Sequence, residues 1–266
     1  MLTVFVLCFS GCSGNSKKNK NNTKNDTDDE VFIGVMGTVS TNQSTSKKRV
    51  ALTFDDGPHT TRTIAIVDEL DKYGFHATFF VVGNRVDGSE YNGAKAMKYA
   101  ADHGNEIGIH GYTHSSSAYY DKCDDTTYKS EISKTEQAIK SVLPNAKIRL
   151  MRPTGGRITE ERIKSSKYSI IMWGVDSKDY EYRYVRNSDD TVEEKREKQE
   201  KLDTIVNNVM SSVQDGSIIL MHDIYESTYE ATAEILKRLH KEGYEVVTVS
   251  ELLGDQMSAG KRYSKK

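Results

Sequence analysis

An apolar run, Val50-Ala51-Leu52-Thr53-Phe54, ends in two adjacent carboxylates, Asp55 and Asp56, and Gly57-Pro58 follows at once. Like charges side by side at the end of a buried strand resist joint ionisation, so a cation must neutralise at least one of them. His110 and His114 supply two imidazoles four residues apart, within reach of one ion. Two imidazoles and one carboxylate, with positions left open for water and substrate, suit zinc and are compatible with nickel, cobalt, manganese or iron. One aspartate can then hold the ion while its neighbour takes a proton from water. Adjacent side chains on extended backbone point opposite ways, so two that face one site require a turn, which Gly57-Pro58 supports.

Further groups of matching chemistry lie downstream. His222 closes the run Ser217-Ile-Ile-Leu-Met; with acidic Asp176 at another strand end it can be held in one tautomer and kept protonated, as a general acid requires. Arg152 beside two aspartates would orient the free carboxylate and lower its pKa. The glycines of Pro153-Thr-Gly-Gly156 let backbone N–H groups approach a developing oxyanion. Trp173 and Tyr180 could line a sugar-binding groove, Trp173 equally the core. Tyr119, Tyr120, Tyr182 and Tyr184 are candidates for its rim. His59, His76, His103 and His240 have no partners at suggestive spacing and read as structural or surface residues.

These side chains need a scaffold that gathers them. Strand-like runs at 49–55, 77–82, 106–110, 148–152, 169–175, 217–222 and 245–249 are rich in Val, Ile and Phe, as buried parallel strands are. Between them lie helical patterns, with Ile64, Val67 and Leu70 ended by Gly74, and Ile235, Leu236 and Leu239 ended by Gly243. Thr191 and Glu194 form a capping box that starts a long helix reaching about Val213. Alternating strands and helices imply a parallel sheet or incomplete barrel, whose active site lies at the carboxyl ends of the strands. Asp55/Asp56, His110/His114, Arg152, Asp176/Asp179 and His222/Asp223 all fall at such ends.

The chain of 266 residues fits one large domain, at 48–254, and its formal net charge of −2 carries no footprint for nucleic acid. Cys8, Cys12 and Cys123 permit neither a disulfide framework within the domain nor a structural zinc site. Residues 1–12 read as an export signal in which Phe9-Ser10-Gly11-Cys12 resembles a bacterial lipobox, anchoring the chain at Cys12. Residues 13–47 form a tether, whose first 18 residues or so span roughly 20–25 Å by coil scaling. Residues 255–266 are expected to be a polar C-terminal tail. The protein is expected outside the cytoplasmic membrane, anchored or secreted, as a monomer.

Together these motifs resemble the polysaccharide deacetylases of the NodB-homology, carbohydrate esterase family 4 type, over residues 48–253. Thr53-Phe-Asp-Asp-Gly-Pro58 matches the first motif unchanged. His110-Gly-Tyr-Thr-His114, Arg152-Pro-Thr-Gly-Gly156, Asp176-Ser-Lys-Asp-Tyr180 and Leu220-Met-His222 are similar to the motifs that follow. The resemblance implies a distorted (β/α)7 barrel and metal-dependent removal of acetyl groups from N-acetylated sugars, most naturally the N-acetylglucosamine of peptidoglycan. It implies Asp55 as general base, Asp56, His110 and His114 as metal ligands, and His222 as general acid. Arg152 would support the base, Asp176 would tune His222, and the Gly155 N–H would join the oxyanion hole. Thr154 and Gly155 stand where the family has proline and an aromatic, and Tyr180 where it has tryptophan, which alters the substrate surface. Chitin oligomers, poly-N-acetylglucosamine or acetyl-xylan are the competing substrates; a metal-dependent oxygenase and a non-catalytic glycan-binding module are the competing classes.

Overall fold

A computed structural model describes residues 47–88 and 92–266. The lipobox-like segment with Cys12 and the tether up to residue 46 lie outside the described residues.

The strands are β1 (Lys48–Asp55), β2 (Thr78–Val81), β3 (Glu106–Ile109), β4 (Leu150–Met151), β5 (Ser169–Ile171), β6 (Val175–Asp176), β7 (Ile218–His222), β8 (Tyr244–Val246) and β9 (Arg262–Tyr263). The helices are α1 (Arg62–Asp71), α2 (Gly83–Asp87), α3 (Ala94–Asp102), α4 (Asp125–Val142), α5 (Glu160–Lys164), α6 (Val192–Met210), α7 (Glu226–Lys241) and α8 (Val249–Leu253). The strands pair in the order β6-β7-β1-β2-β3-β4-β5-β9, with β8 added beside the start of β1, and every named pair is parallel. This is the curled parallel sheet of a distorted (β/α)7 barrel. β1 is buried from Val50 onward because it has neighbours on both edges and apolar layers on both faces.

Burial drives the helices onto that sheet. Ile66, Val67 and Leu70 of α1 and Ile235, Leu236 and Leu239 of α7 are all fully buried, and the two helices pack together. Each such side chain contributes roughly 1.5–3 kcal/mol of transfer free energy. The stripe on α1 is rotated from the expected one: Ile66 is buried and Ile64 only half-buried. Helix α6 begins at the capping box of Thr191 and Glu194 and buries Ile205, Val206 and Val209.

Three sequence boundaries are corrected. The run 169–175 is two strands far apart in the pairing order, β6 at one end and β5 next to last, because the chain leaves β5 at Met172 and rejoins the sheet beside β7 at Val175. The run 245–249 stops at Val246, since Thr248 caps α8. Residues 255–266 are not a tail: β9 pairs with β5, and Lys265 bridges to Ser217, just before β7. The backbone amides of this segment find their partners across the gap between β5 and β7, which side-chain polarity does not reveal.

Candidate active site

One edge of the sheet collects the polar groups. Asp55 ends β1 and His222 ends β7, and their register places them opposite one another. His110 follows β3, Arg152 follows β4, and Asp176 ends β6. These strand ends line a cavity of about 390 Å³ with Asp55, Asp56, His110, His114, Gly155, Asp176 and His222 in its wall.

Asp56 and His114 both adopt left-handed backbone, φ 72° and 53°, uncommon for non-glycine residues and characteristic of tightly determined sites. The turn at Asp56 lets both adjacent carboxylates face the cavity. Asp56 Oδ1 lies 2.9 Å from His114 Nε2 and 3.4 Å from His110 Nε2. Neither ring nitrogen is aligned as a hydrogen-bond donor, so this buried oxygen is left without a partner. The His110 ring is fixed from behind, its Nδ1–H donating to Arg152 O at 2.8 Å, which leaves Nε2 as the ligating nitrogen.

An orphaned carboxylate oxygen and two imidazole nitrogens, all mutually within 4.8 Å, fit a divalent cation. The two separations from the carboxylate oxygen, 2.9 and 3.4 Å, lie close to the ~3.3 Å edge of a tetrahedron with bonds of about 2.0–2.1 Å. Burial raises the Asp56 carboxyl pKa, but the two imidazoles outweigh it and hold the group well below the usual range. Burial likewise lowers His110, and the charges of Asp55 and Asp56 overcome it, so the ring pKa lies above its ordinary value. The site is strongly electronegative and seeks positive charge.

Asp55 is managed differently. Its Oδ1 accepts from Arg152 Nη1 at 2.8 Å, and its Oδ2 points towards His110 Nε2 at 3.6 Å. Arg152 is fully buried, yet its guanidinium is satisfied by Thr53 Oγ1 at 2.7 Å, Ile171 O at 3.0 Å and Met172 O at 3.0 Å. Phe80 and Trp173 flank it at 4.4 and 5.7 Å from the ring centroids. Such a group cannot swing away, so the free oxygen of Asp55 is held in place.

The partner of His222 is Asp179, not Asp176. The ring Nδ1 lies 2.7 Å from Asp179 Oδ1, and the His222 backbone N–H and the Thr228 hydroxyl donate to Asp179 Oδ2 at 2.7 and 2.6 Å. Asp176 instead accepts the Lys178 N–H at 2.8 Å and stands half-buried in the cavity wall. The reason is geometric: the chain turns at Lys178, φ 55°, and brings the second acid under the imidazole. Burial lowers the His222 pKa, but the Asp179 carboxylate overcomes that and pushes it up to about 9. The ring remains an imidazolium at neutral pH.

Beside it, Asp223 is fully buried, accepts the Thr63 hydroxyl and has its carboxyl pushed up to about 7, chiefly by burial. It packs so closely on Gly57 that a Cβ there would overlap its carboxylate.

The Thr154–Gly156 turn presents Gly155 to the cavity at φ 60°. Tyr119, Trp173 and Tyr180 line the walls, joined by Tyr225, which the sequence does not single out. Tyr120 and Tyr184 belong to the core rather than the rim, and Tyr182 packs partly buried against that core. The thiol and carbonyl of Cys123 both contact the guanidinium of Arg162.

A model of the family described as polysaccharide deacetylase matches residues 42–169. The peptidoglycan-N-acetylmuramic acid deacetylase PdaC of Bacillus subtilis is 34% identical over 237 residues, covering 88% of this chain and 44% of PdaC. A solved structure of PdaC aligns with a TM-score of 0.65 at 34% identity, over 78% of this chain and 90% of that one. A peptidoglycan-N-acetylglucosamine deacetylase of Bacillus cereus is 32% identical over 216 residues, covering 78% of this chain and 89% of its own length. A family 4 acetyl xylan esterase of Clostridium thermocellum, solved with a cobalt ion, aligns with a TM-score of 0.63 at 29% identity, over 77% of this chain and 90% of that one. The chain spans less than half the length of PdaC.

Proposed function

The chain belongs to the polysaccharide deacetylase family, and on that footing we propose that it removes the acetyl group from N-acetylglucosamine residues of peptidoglycan and releases acetate. The observation that carries this reading is the convergence on one cavity of three metal-competent atoms, an Arg-held carboxylate and a carboxylate-held imidazolium.

Asp56, His110 and His114 would hold one divalent ion, with zinc assigned and cobalt, nickel or manganese as substitutes. Bound there, the ion supplies Lewis acidity, polarising the acyl oxygen and lowering the pKa of water. Asp55 accepts the proton of the attacking water through Oδ2, while Arg152 holds Oδ1 and fixes the direction in which the free oxygen points. The Gly155 N–H would donate to the developing oxyanion, a role its position in the cavity wall supports. His222 gives its proton to the departing amine nitrogen, with Asp179 holding the ring and its charge. Asp176, released from that duty, offers a carboxylate to sugar hydroxyls, and Tyr119, Trp173, Tyr180 and Tyr225 supply the apolar faces sugars stack on.

The lipobox-like Cys12 supports attachment to the outer face of the membrane, close to that substrate. No helix among the described residues is long and apolar enough to cross a membrane. Cys12→Ala should move the protein from the membrane to the soluble fraction, and an unchanged partition would refute the anchor. A monomer is assigned, to be checked by mass in solution.

The substrate reading is tested by acetate release from purified peptidoglycan, chitin oligomers and acetyl-xylan, with mass analysis of the muropeptides. Glucosamine in the digested peptidoglycan supports it. Muramic acid freed of its acetyl group, or release confined to xylan, would overturn it.

A further inference from the structure

The loop that carries both histidines is held by a carboxylate outside the cavity. Between His110 and His114 the chain turns through Gly111, φ 87°, and reaches His114 in left-handed backbone. A side chain at Gly111 would press on Thr154, Tyr120 and Glu131. The carbonyls of Gly111 and Tyr112 accept from the first amides of α2, Gly83 N at 2.9 Å and Asn84 N at 3.1 Å. The amides go the other way: Tyr112 N–H and Thr113 N–H donate to Glu131 Oε2 at 2.7 and 2.9 Å, and the Thr113 hydroxyl donates to Oε1 at 2.9 Å. Glu131 sits on α4, nearly fully buried, and both its oxygens are spent on this loop.

We infer that Glu131 is a positioning residue for the metal site: it clamps the Tyr112–Thr113 peptide so that His110 and His114 face Asp56 together. This rests on the metal-ligand assignment above. The His110 ring is already fixed by Arg152 O. His114 has no such bond among the described residues, so its placement depends on the loop backbone. Without Glu131 the two amides would lose the acceptor that holds them, and the loop would relax away from the left-handed backbone that aims His114. Supporting groups of this kind typically tune metal affinity about 10–100-fold.

The experiment measures the zinc dissociation constant by competition with a chromophoric chelator. Wild type is compared with Glu131→Asp and Glu131→Gln, below the unfolding temperature of each metal-free protein. Glu131→Asp keeps the charge and falls short by about 1.5 Å; it should bind zinc at least about tenfold more weakly. Glu131→Gln keeps the reach, since its amide oxygen can serve both backbone N–H groups, and should stay close to wild type. A folded Glu131→Asp with wild-type affinity would overturn the inference, as would a Gln variant as weak as the Asp variant. Should Glu131→Asp not fold, Thr113→Val removes one of the three bonds: weaker zinc binding supports the clamp, and unchanged affinity refutes it. Failure of wild type to bind zinc more tightly than His110→Ala would instead refute the metal assignment itself.

Discussion

Asp179→Asn distinguishes the roles of Asp176 and Asp179 and puts a number on the proposed general acid, His222. In the native protein the carboxylate lifts His222 from an ordinary 6.5 to about 9, against burial that works the other way. At 1.36 kcal/mol per pK unit, the pair favours the imidazolium by about 3 kcal/mol. Asparagine keeps the acceptor that serves the His222 amide and Thr228, so the fold should survive. Its NH2 group, however, faces Nδ1 and favours a neutral ring. The His222 pKa should then fall to about 6.5 or below. At pH 8 the charged fraction drops from about nine-tenths to a few per cent, roughly a 30-fold loss of kcat. The assay is acetate release between pH 5 and 10. Wild type should lose activity on the alkaline side near pH 9, and the variant near pH 6.5, with metal affinity unchanged. An alkaline limb that does not move would refute the reasoning. Stability carries the same sign. A histidine raised in the folded state contributes fully below pH 6.5, and the contribution is lost as pH rises through about 9.

Asp176→Asn should leave that alkaline limb in place and change KM instead; a limb shifted like that of Asp179→Asn would restore the tuning role to Asp176. Asp55→Asn should lower kcat by about 10²–10⁴ while zinc still binds, and undiminished turnover would remove the base assignment. Gly57→Ala drives a methyl into the buried Asp223 carboxylate and should cost about 1–3 kcal/mol in thermal unfolding; a variant as stable as wild type would show that the two are not in contact.

The parts of this site that were legible in the sequence are those carried by long regular strands. The apolar run before Asp55 predicts a buried strand and a carboxyl-end site, and the histidines, Arg152 and His222 stand where that logic puts them. The capping box at Thr191 needs only local spacing, and it forms as read. Asp179 is misread because β6 has only two residues and the turn after it, not the strand, decides which acid reaches the ring. The closing contacts of β9 and Lys265 are made by backbone and leave no mark in polarity. Glu131 is hidden for a related reason: its partners are amides of a distant loop, so nothing in its own neighbourhood on α4 marks it. Adjacent Tyr119 and Tyr120 go opposite ways, one to the cavity and one to the core, and composition does not say which.

The central claim is that Asp56, His110 and His114 hold an ion on which deacetylation depends. Its most direct test is acetate release from purified peptidoglycan by protein stripped with a chelator, verified metal-free, then titrated with zinc. Activity should vanish on stripping and return in full at one equivalent of zinc, and His114→Ala should fail to recover at that ratio. Full activity in the verified metal-free protein would contradict the account.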